Sequence, residues 1–203
     1  YLNSTGSNNT AVGNNALYNN TARDNTAIGY NAMQANTTGI NNVAVGTSAL
    51  GSNQTGSANI AIGYGALLAT TSSNNTGVGY GALYQNTSGA NNTALGYQAA
   101  FTQTSLGFNT TAVGYQALYT NAATNNTALG YQAMYTNSAG TGNIAAGVQA
   151  LYSNNSGIGN VAIGYTALYN TAGAGADYNI GIGYNARTLN AADTNSIVIG
   201  YNA

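Results

Sequence analysis

Hydrophobic and polar positions alternate along the chain in very short bursts. A triplet of β-former, small residue and β-former, such as Val43-Ala44-Val45 or Ile60-Ala61-Ile62, runs directly into a Gly. The Gly is followed, after two further positions, by Ala and then by Leu or Met, as in Gly63-Tyr64-Gly65-Ala66-Leu67. A stretch rich in Asn, Thr, Ser and Gly then leads to the next burst. Alternation with period two predicts strands, and the polar stretches predict turns. A strand of three residues cannot stand alone, so the pattern calls for pairing with other copies of itself.

The burst recurs through the whole chain. Its glycines are Gly13, Gly29, Gly46, Gly63, Gly79, Gly96, Gly114, Gly130, Gly147, Gly164, Gly183 and Gly200, spaced 16 to 19 residues apart with a mean of 17. Aligned on that Gly, the copies form columns. Three residues after it stands Ala in all twelve, and one residue after it stands Tyr in nine of twelve. Four residues before it stands Asn in ten of twelve, with Thr110 and Ser196 the exceptions.

Self-similarity at such a period is the mark of a solenoid. The expected fold is all-β: a parallel β-solenoid of about twelve coils, each strand paired with its equivalents above and below. At about 4.8 Å per coil the rod would be on the order of 55 Å long. Like residues then lie over like, so Asn can form amide ladders and Tyr can stack on Tyr. Taking the Val, Ile and Leu positions to fill the coil interior, the Ala two before Gly should point outward, where a small face would let chains pack closely. A disordered low-complexity segment would show no such fixed columns, and Ala in twelve of twelve registers argues against it.

Composition narrows the chemistry. Only Arg23, Asp24, Asp177, Arg187 and Asp193 carry a formal charge, and the 152 residues from Asn25 to Ala176 carry none. There is no Lys, Glu, His, Cys, Trp or Pro in the 203 residues. Most general acid–base residues, thiol nucleophiles and metal ligands are therefore missing, and no cofactor or metal site is expected. Two Arg cannot neutralise a nucleic-acid backbone, and no apolar run reaches the length of a membrane span. In a stacked solenoid one charged column would set like charges about 5 Å apart along the whole rod, so low charge suits the architecture.

The register Asn-Val/Ile-Ala-Val/Ile-Gly-x-x-Ala resembles the head repeat of trimeric autotransporter adhesins, the YadA-like family. Asn42-Val43-Ala44-Val45-Gly46, Asn59-Ile60-Ala61-Ile62-Gly63, Asn160-Val161-Ala162-Ile163-Gly164 and Asn195-Ser196-Ile197-Val198-Ile199-Gly200 carry it most clearly. The resemblance implies a left-handed β-roll with two strands per coil, assembled as a homotrimer. It further implies an adhesive role toward host surface glycans or matrix proteins, outside the cell or on a virion. Similar repeats occur in phage tail fibres. The family's repeat is usually shorter, and here Thr10, Thr26, Thr76, Thr93, Thr111 and Thr127 stand where it prefers Val. The chain begins and stops in mid-repeat, so residues 1–203 are read as a single array cut from a longer fibre protein.

The expected function is thus a rigid structural or adhesive segment of an extracellular fibre and not an enzyme. A tail-fibre shaft or receptor-binding segment and a self-assembling filament are the alternatives. Eleven Asn-x-Ser/Thr sites are candidate glycan acceptors: Asn3, Asn8, Asn19, Asn36, Asn53, Asn74, Asn86, Asn91, Asn109, Asn125 and Asn154. All are expected in turns. The Tyr column, and a second aromatic column five after Gly from Tyr18 to Tyr169, could stack on sugars, but are expected to pack between coils. The only carboxylates that could serve hydrolysis are Asp24, Asp177 and Asp193.

Overall fold

The computed structural model describes residues 6–103, 107–170, 176–187 and 193–203. Among these the secondary structure is strand and turn, with no helix. The strands are β1 (Thr10–Val12), β2 (Thr26–Ile28), β3 (Val43–Val45), β4 (Ile60–Ile62), β5 (Thr76–Val78), β6 (Thr93–Leu95), β7 (Thr102–Gln103) and β8 (Thr111–Val113). They continue as β9 (Thr120–Asn121), β10 (Thr127–Leu129), β11 (Thr136–Asn137), β12 (Ile144–Ala146), β13 (Ser153–Asn154), β14 (Val161–Ile163), β15 (Ile180–Ile182) and β16 (Ile197–Ile199). Twelve of them, in the order β1-β2-β3-β4-β5-β6-β8-β10-β12-β14-β15-β16, form one continuous parallel sheet. Its register is that of the repeat: Ala44 pairs with Ala61, and Ala112 with Ala128. The chain is a parallel β-solenoid.

A second, four-stranded ladder runs β7-β9-β11-β13. It is shorter than two strands per coil would require, and the sequence explains why. These strands open on Thr102, Thr120, Thr136 and Ser153, whereas the equivalent positions earlier in the chain are Asn19, Ala35, Ser52, Ala69 and Gln85. Thr favours extended backbone and accounts for β7, β9 and β11; Ser stands in both sets, so β13 follows from its pairing with β11 and not from propensity. The earlier coils make a turn there instead, closed by bonds such as Asn36 N–H to the Met33 carbonyl at 3.3 Å.

The strands face the opposite way from the sequence expectation. Ala27, Ala44, Ala61, Ala94, Ala112, Ala128, Ala145 and Ala162 point inward and are fully buried. Their neighbours point outward: Ile28, Ile62, Leu95, Leu129 and Ile163 are each 40–48% exposed. The reason is volume. The core is filled by the Ala three after Gly and the Leu or Met four after it, with Leu17, Met33, Leu50, Leu67, Leu83, Leu118, Met134, Leu151 and Leu168 all buried. Against that row of large side chains only a small residue fits across the coil. A Cβ on Gly77, in the same column, would meet Leu67 Cγ at 3.2 Å.

Those Leu and Met residues adopt left-handed backbone, φ being 51° at Leu17 and 50° at Leu118. That conformation costs a branched residue about 1–2 kcal/mol. Complete burial and a bond to the next coil, Leu118 N–H to the Ala133 carbonyl at 3.0 Å, offset it.

The other half of the interior is polar. Asn25, Asn42, Asn59 and Asn75 before the strand, and Asn36, Asn53, Asn137 and Asn154 seven after the Gly, are fully buried. Their amides are satisfied locally and between coils. Both Asn25 Nδ2 and Asn36 Nδ2 donate to the Gly39 carbonyl, at 2.8 and 2.9 Å. Asn25 Oδ1 in turn accepts from the Asn42 backbone N–H at 3.0 Å, and Asn42 Oδ1 from that of Asn59 at 2.9 Å. Asn36 Nδ2 reaches Asn20 Oδ1 at 2.6 Å, and Asn154 Nδ2 reaches Asn137 Oδ1 at 3.0 Å. Where the column departs from Asn, the ladder fails. Gln103 turns its amide to the Gly107 carbonyl and Thr110, and Asn86 Oδ1 is buried without a partner among the described residues.

Candidate functional site

Three long surface features run parallel to the rod, each generated by one column of the repeat. The first is the outer face of the twelve-stranded sheet. Its column immediately before Gly is Val, Ile or Leu in eleven of twelve copies, the exception being Ala146. Beside it, three before Gly, stand six Thr and six Val or Ile. The face is uncharged and largely apolar from Val12, 57% exposed, to Ile199, 66% exposed. Parallel sheets occur almost only with both faces covered. Here the coil covers one face and leaves the other bare.

The second and third features are aromatic ladders. Tyr64, Tyr80, Tyr97, Tyr115 and Tyr131 stack with centroids 5.1–5.3 Å apart, and Tyr165, Tyr184 and Tyr201 continue the column at 5.0 Å. Tyr84, Phe101, Tyr119, Tyr135, Tyr152 and Tyr169 form an unbroken second stack at 5.0–5.3 Å. The Arg187 guanidinium, 5.8 Å from the Tyr169 ring centre, stands over its end. Ring lies on ring, so within each stack only edges and hydroxyls face solvent. Burial, and then the neighbouring phenols Tyr119, Tyr152 and Tyr115, push the Tyr135 hydroxyl above the ordinary Tyr range. Burial again, then Tyr169 and Tyr131, does the same at Tyr152. Between the two aromatic columns, Gln116, Gln132 and Gln149 each donate from Nε2 to the Gln of the preceding coil at 2.9–3.1 Å.

The repeat glycines form a spine that fixes coil spacing. Gly46 has φ +129°, and a Cβ there would stand 2.7 Å from the Gly63 carbonyl oxygen.

The acceptor Asn residues divide into two sets. Asn36, Asn53, Asn86 and Asn154 are fully buried, so the expectation that they could carry glycans in exposed turns is corrected. Their amides are committed to the coil interior, as Asn53 Nδ2 is to the Gly56 carbonyl at 2.9 Å. Asn8, Asn74, Asn91, Asn109 and Asn125, five before Gly, are exposed in left-handed turns with φ of 55–62°. Asn19 is half-buried, and Asn3 lies outside the described residues. Register against the Gly separates the sets: seven after it points in, five before it points out.

Among the described residues the three carboxylates do not gather into one cluster. Asp24 lies 3.3 Å from Arg23 and accepts from Asn8 Nδ2 at 3.0 Å. Asp177 Oδ1 accepts from the Ile158 N–H at 2.8 Å, and the Asp193 carbonyl from Asn179 Nδ2 at 2.7 Å. Sequence reading missed one concavity. Phe108 and the turns holding Ala122, Ala123, Thr124, Ala139 and Thr141 enclose an open, almost wholly apolar notch of about 470 Å³. Comparison of the chain with family models, with curated proteins and with solved structures finds no match.

Proposed function

We propose that this chain is a stiff structural and adhesive segment of an extracellular fibre, working as a homotrimer of left-handed rolls of about twelve coils. The observation that carries the reading is the bare outer face of the parallel sheet, with Ile28, Ile62, Leu95, Leu129 and Ile163 in one exposed line. A face of that kind needs a cover, and a second rod with the same periodicity matches it residue for residue. The number three and the hand of the roll come from the resemblance to YadA-like head repeats. The backbone ladder, continuous through twelve strands, supplies the stiffness that a projecting fibre requires.

The partners on this reading are two further copies of the chain and, at the exposed columns, host surface glycans or matrix proteins. The same rod could sit in a bacterial surface adhesin or a phage tail fibre. The test is retention of segment-coated beads on immobilised glycans and matrix proteins across a range of salt concentrations. A surface without charge over 152 residues predicts retention that high salt leaves unchanged. Absence of retention on every such surface, or retention abolished by salt, would contradict the adhesive role.

A further inference from the structure

The column one residue after Gly is interrupted at Thr47, and the interruption has the shape of a missing ring. Ser48 N–H bonds to the Tyr30 carbonyl at 2.9 Å and Gly65 N–H to the Thr47 carbonyl at 3.0 Å. Tyr30, Thr47 and Tyr64 therefore stand one above another on three successive coils. Two coil steps set the flanking rings about 10 Å apart. The far face of Tyr64 is covered by Tyr80 at 5.1 Å, so its other face opens toward Thr47. The exposures agree: Tyr64 is 52% exposed and Tyr30, which has Asn14 and not a ring on its other side, 54%, against 43–47% for Tyr80, Tyr97, Tyr115 and Tyr184, which have a ring on both faces. Thr47, itself exposed, stands on the middle coil between the two rings, with a hydroxyl-bearing side chain much smaller than a ring.

A ring placed midway would lie about 5 Å from each Tyr, the spacing that offset aromatic stacking adopts. It must be apolar on both faces, where it meets the two phenols, and polar at its rim, where it meets the Thr47 side chain and water. A hexopyranose with equatorial hydroxyls has that form: C–H groups on both faces and oxygens around the edge. No formal charge lies between Asn25 and Ala176, so the slot suits a neutral sugar. The column has a comparable break at Val148, between Tyr131 and Tyr165, where Gln149 N–H bonds to the Tyr131 carbonyl and Thr166 N–H to that of Val148, each at 2.9 Å. Val148, on the middle coil there, has no hydroxyl.

We propose that the slot between Tyr30 and Tyr64 binds one neutral, equatorially substituted hexopyranose unit of a glycan. The proposal rests on the adhesive reading and gives that reading its ligand class. It is tested by saturation-transfer NMR on the assembled protein with methyl β-glucopyranoside as probe, in wild type, Thr47→Tyr and Thr47→Val. Thr47→Tyr fills the slot with the residue that nine of twelve coils already carry, so it keeps the fold, which circular dichroism checks. Transfer to ring protons on both faces of the sugar is expected in wild type. Binding should be about tenfold weaker in Thr47→Tyr, which removes both open faces. Thr47→Val should weaken it by less. No transfer in wild type, or equal transfer in wild type and Thr47→Tyr, would overturn the proposal. The mass of the same sample reports assembly separately, so a trimer without sugar binding and sugar binding without a trimer are distinguishable results.

Discussion

Gly29 lies against Gly46 of the next coil so closely that a Cβ on the first would stand 2.6 Å from the carbonyl oxygen of the second. The contact repeats along the spine and leaves the coils no freedom to accept a side chain. Gly29→Ala adds both the steric clash and the cost of φ +137°, and should destabilise the roll by about 3 kcal/mol. Gly142→Ala is the control. Its φ is +67° but nothing lies within 4 Å of the added Cβ, so about 1 kcal/mol is expected. Denaturant midpoints of the two variants measure the difference. Equal losses would mean the spine is not close-packed.

The inward Ala and outward Ile invert the usual consequences of substitution. Ala128→Ile, at a fully buried position, should overpack the coil and cost about 1–3 kcal/mol. Ile62→Thr, at a position 40% exposed, should leave the coil itself folded, because Thr already occupies the neighbouring outward column. Thermal melts of the two variants under dissociating conditions rank them. The reverse ranking would restore the opposite facing of the strands.

That facing was the part of the fold least legible in the sequence. The period, the Gly spine and the Tyr stacking could be read from the columns, because each repeats with a fixed offset. A three-residue strand fixes two faces but not which of them is inside. The deciding residues lie elsewhere in the repeat: Leu67 and its equivalents fill the coil and leave room opposite only for Ala or Gly. The buried Asn residues were hidden for a different reason. By propensity Asn is a turn residue, and nothing local distinguishes the buried Asn53 from the exposed Asn74. Register against the Gly does so, once the coil is closed. The Tyr30–Tyr64 slot was visible as a gap in a column, but its meaning required knowing that the rings on either side stack.

The polar half of the interior should be as demanding as the apolar half. Asn53 Oδ1 accepts from the Gly56 N–H and its Nδ2 donates to the Gly56 carbonyl, both at 2.9 Å. Asn53→Ala removes both bonds within a buried turn and should cost about 1–3 kcal/mol. Asn74→Ala, at an exposed position, should cost less. Hydrogen exchange at the Gly56 amide gives a local readout. Unchanged protection there in Asn53→Ala would contradict the assignment of the buried amide.

The aromatic ladder predicts a stability limit at alkaline pH. Burial and adjacent phenols raise the folded-state values of Tyr135 and Tyr152 above the ordinary 10.0. A raised phenol binds its proton more tightly in the folded state. Its contribution is therefore complete below about pH 10 and is lost as pH rises through the folded value. Thermal melts should hold steady up to about pH 10 and fall above it, with phenolate absorbance rising alongside unfolding. Melts that improve above that pH would contradict the direction of the shifts.

On the proposed reading the outward Val, Ile and Leu column is covered by other copies of the chain. Sedimentation equilibrium of the protein reads that assembly without any other assumption. A homotrimer gives three times the chain mass of 20.3 kDa, falling to one chain mass when Ile28, Ile62, Leu95 and Ile163 are all changed to Thr while circular dichroism is unchanged. A wild-type protein that sediments as a single 20.3 kDa chain at all concentrations would contradict it.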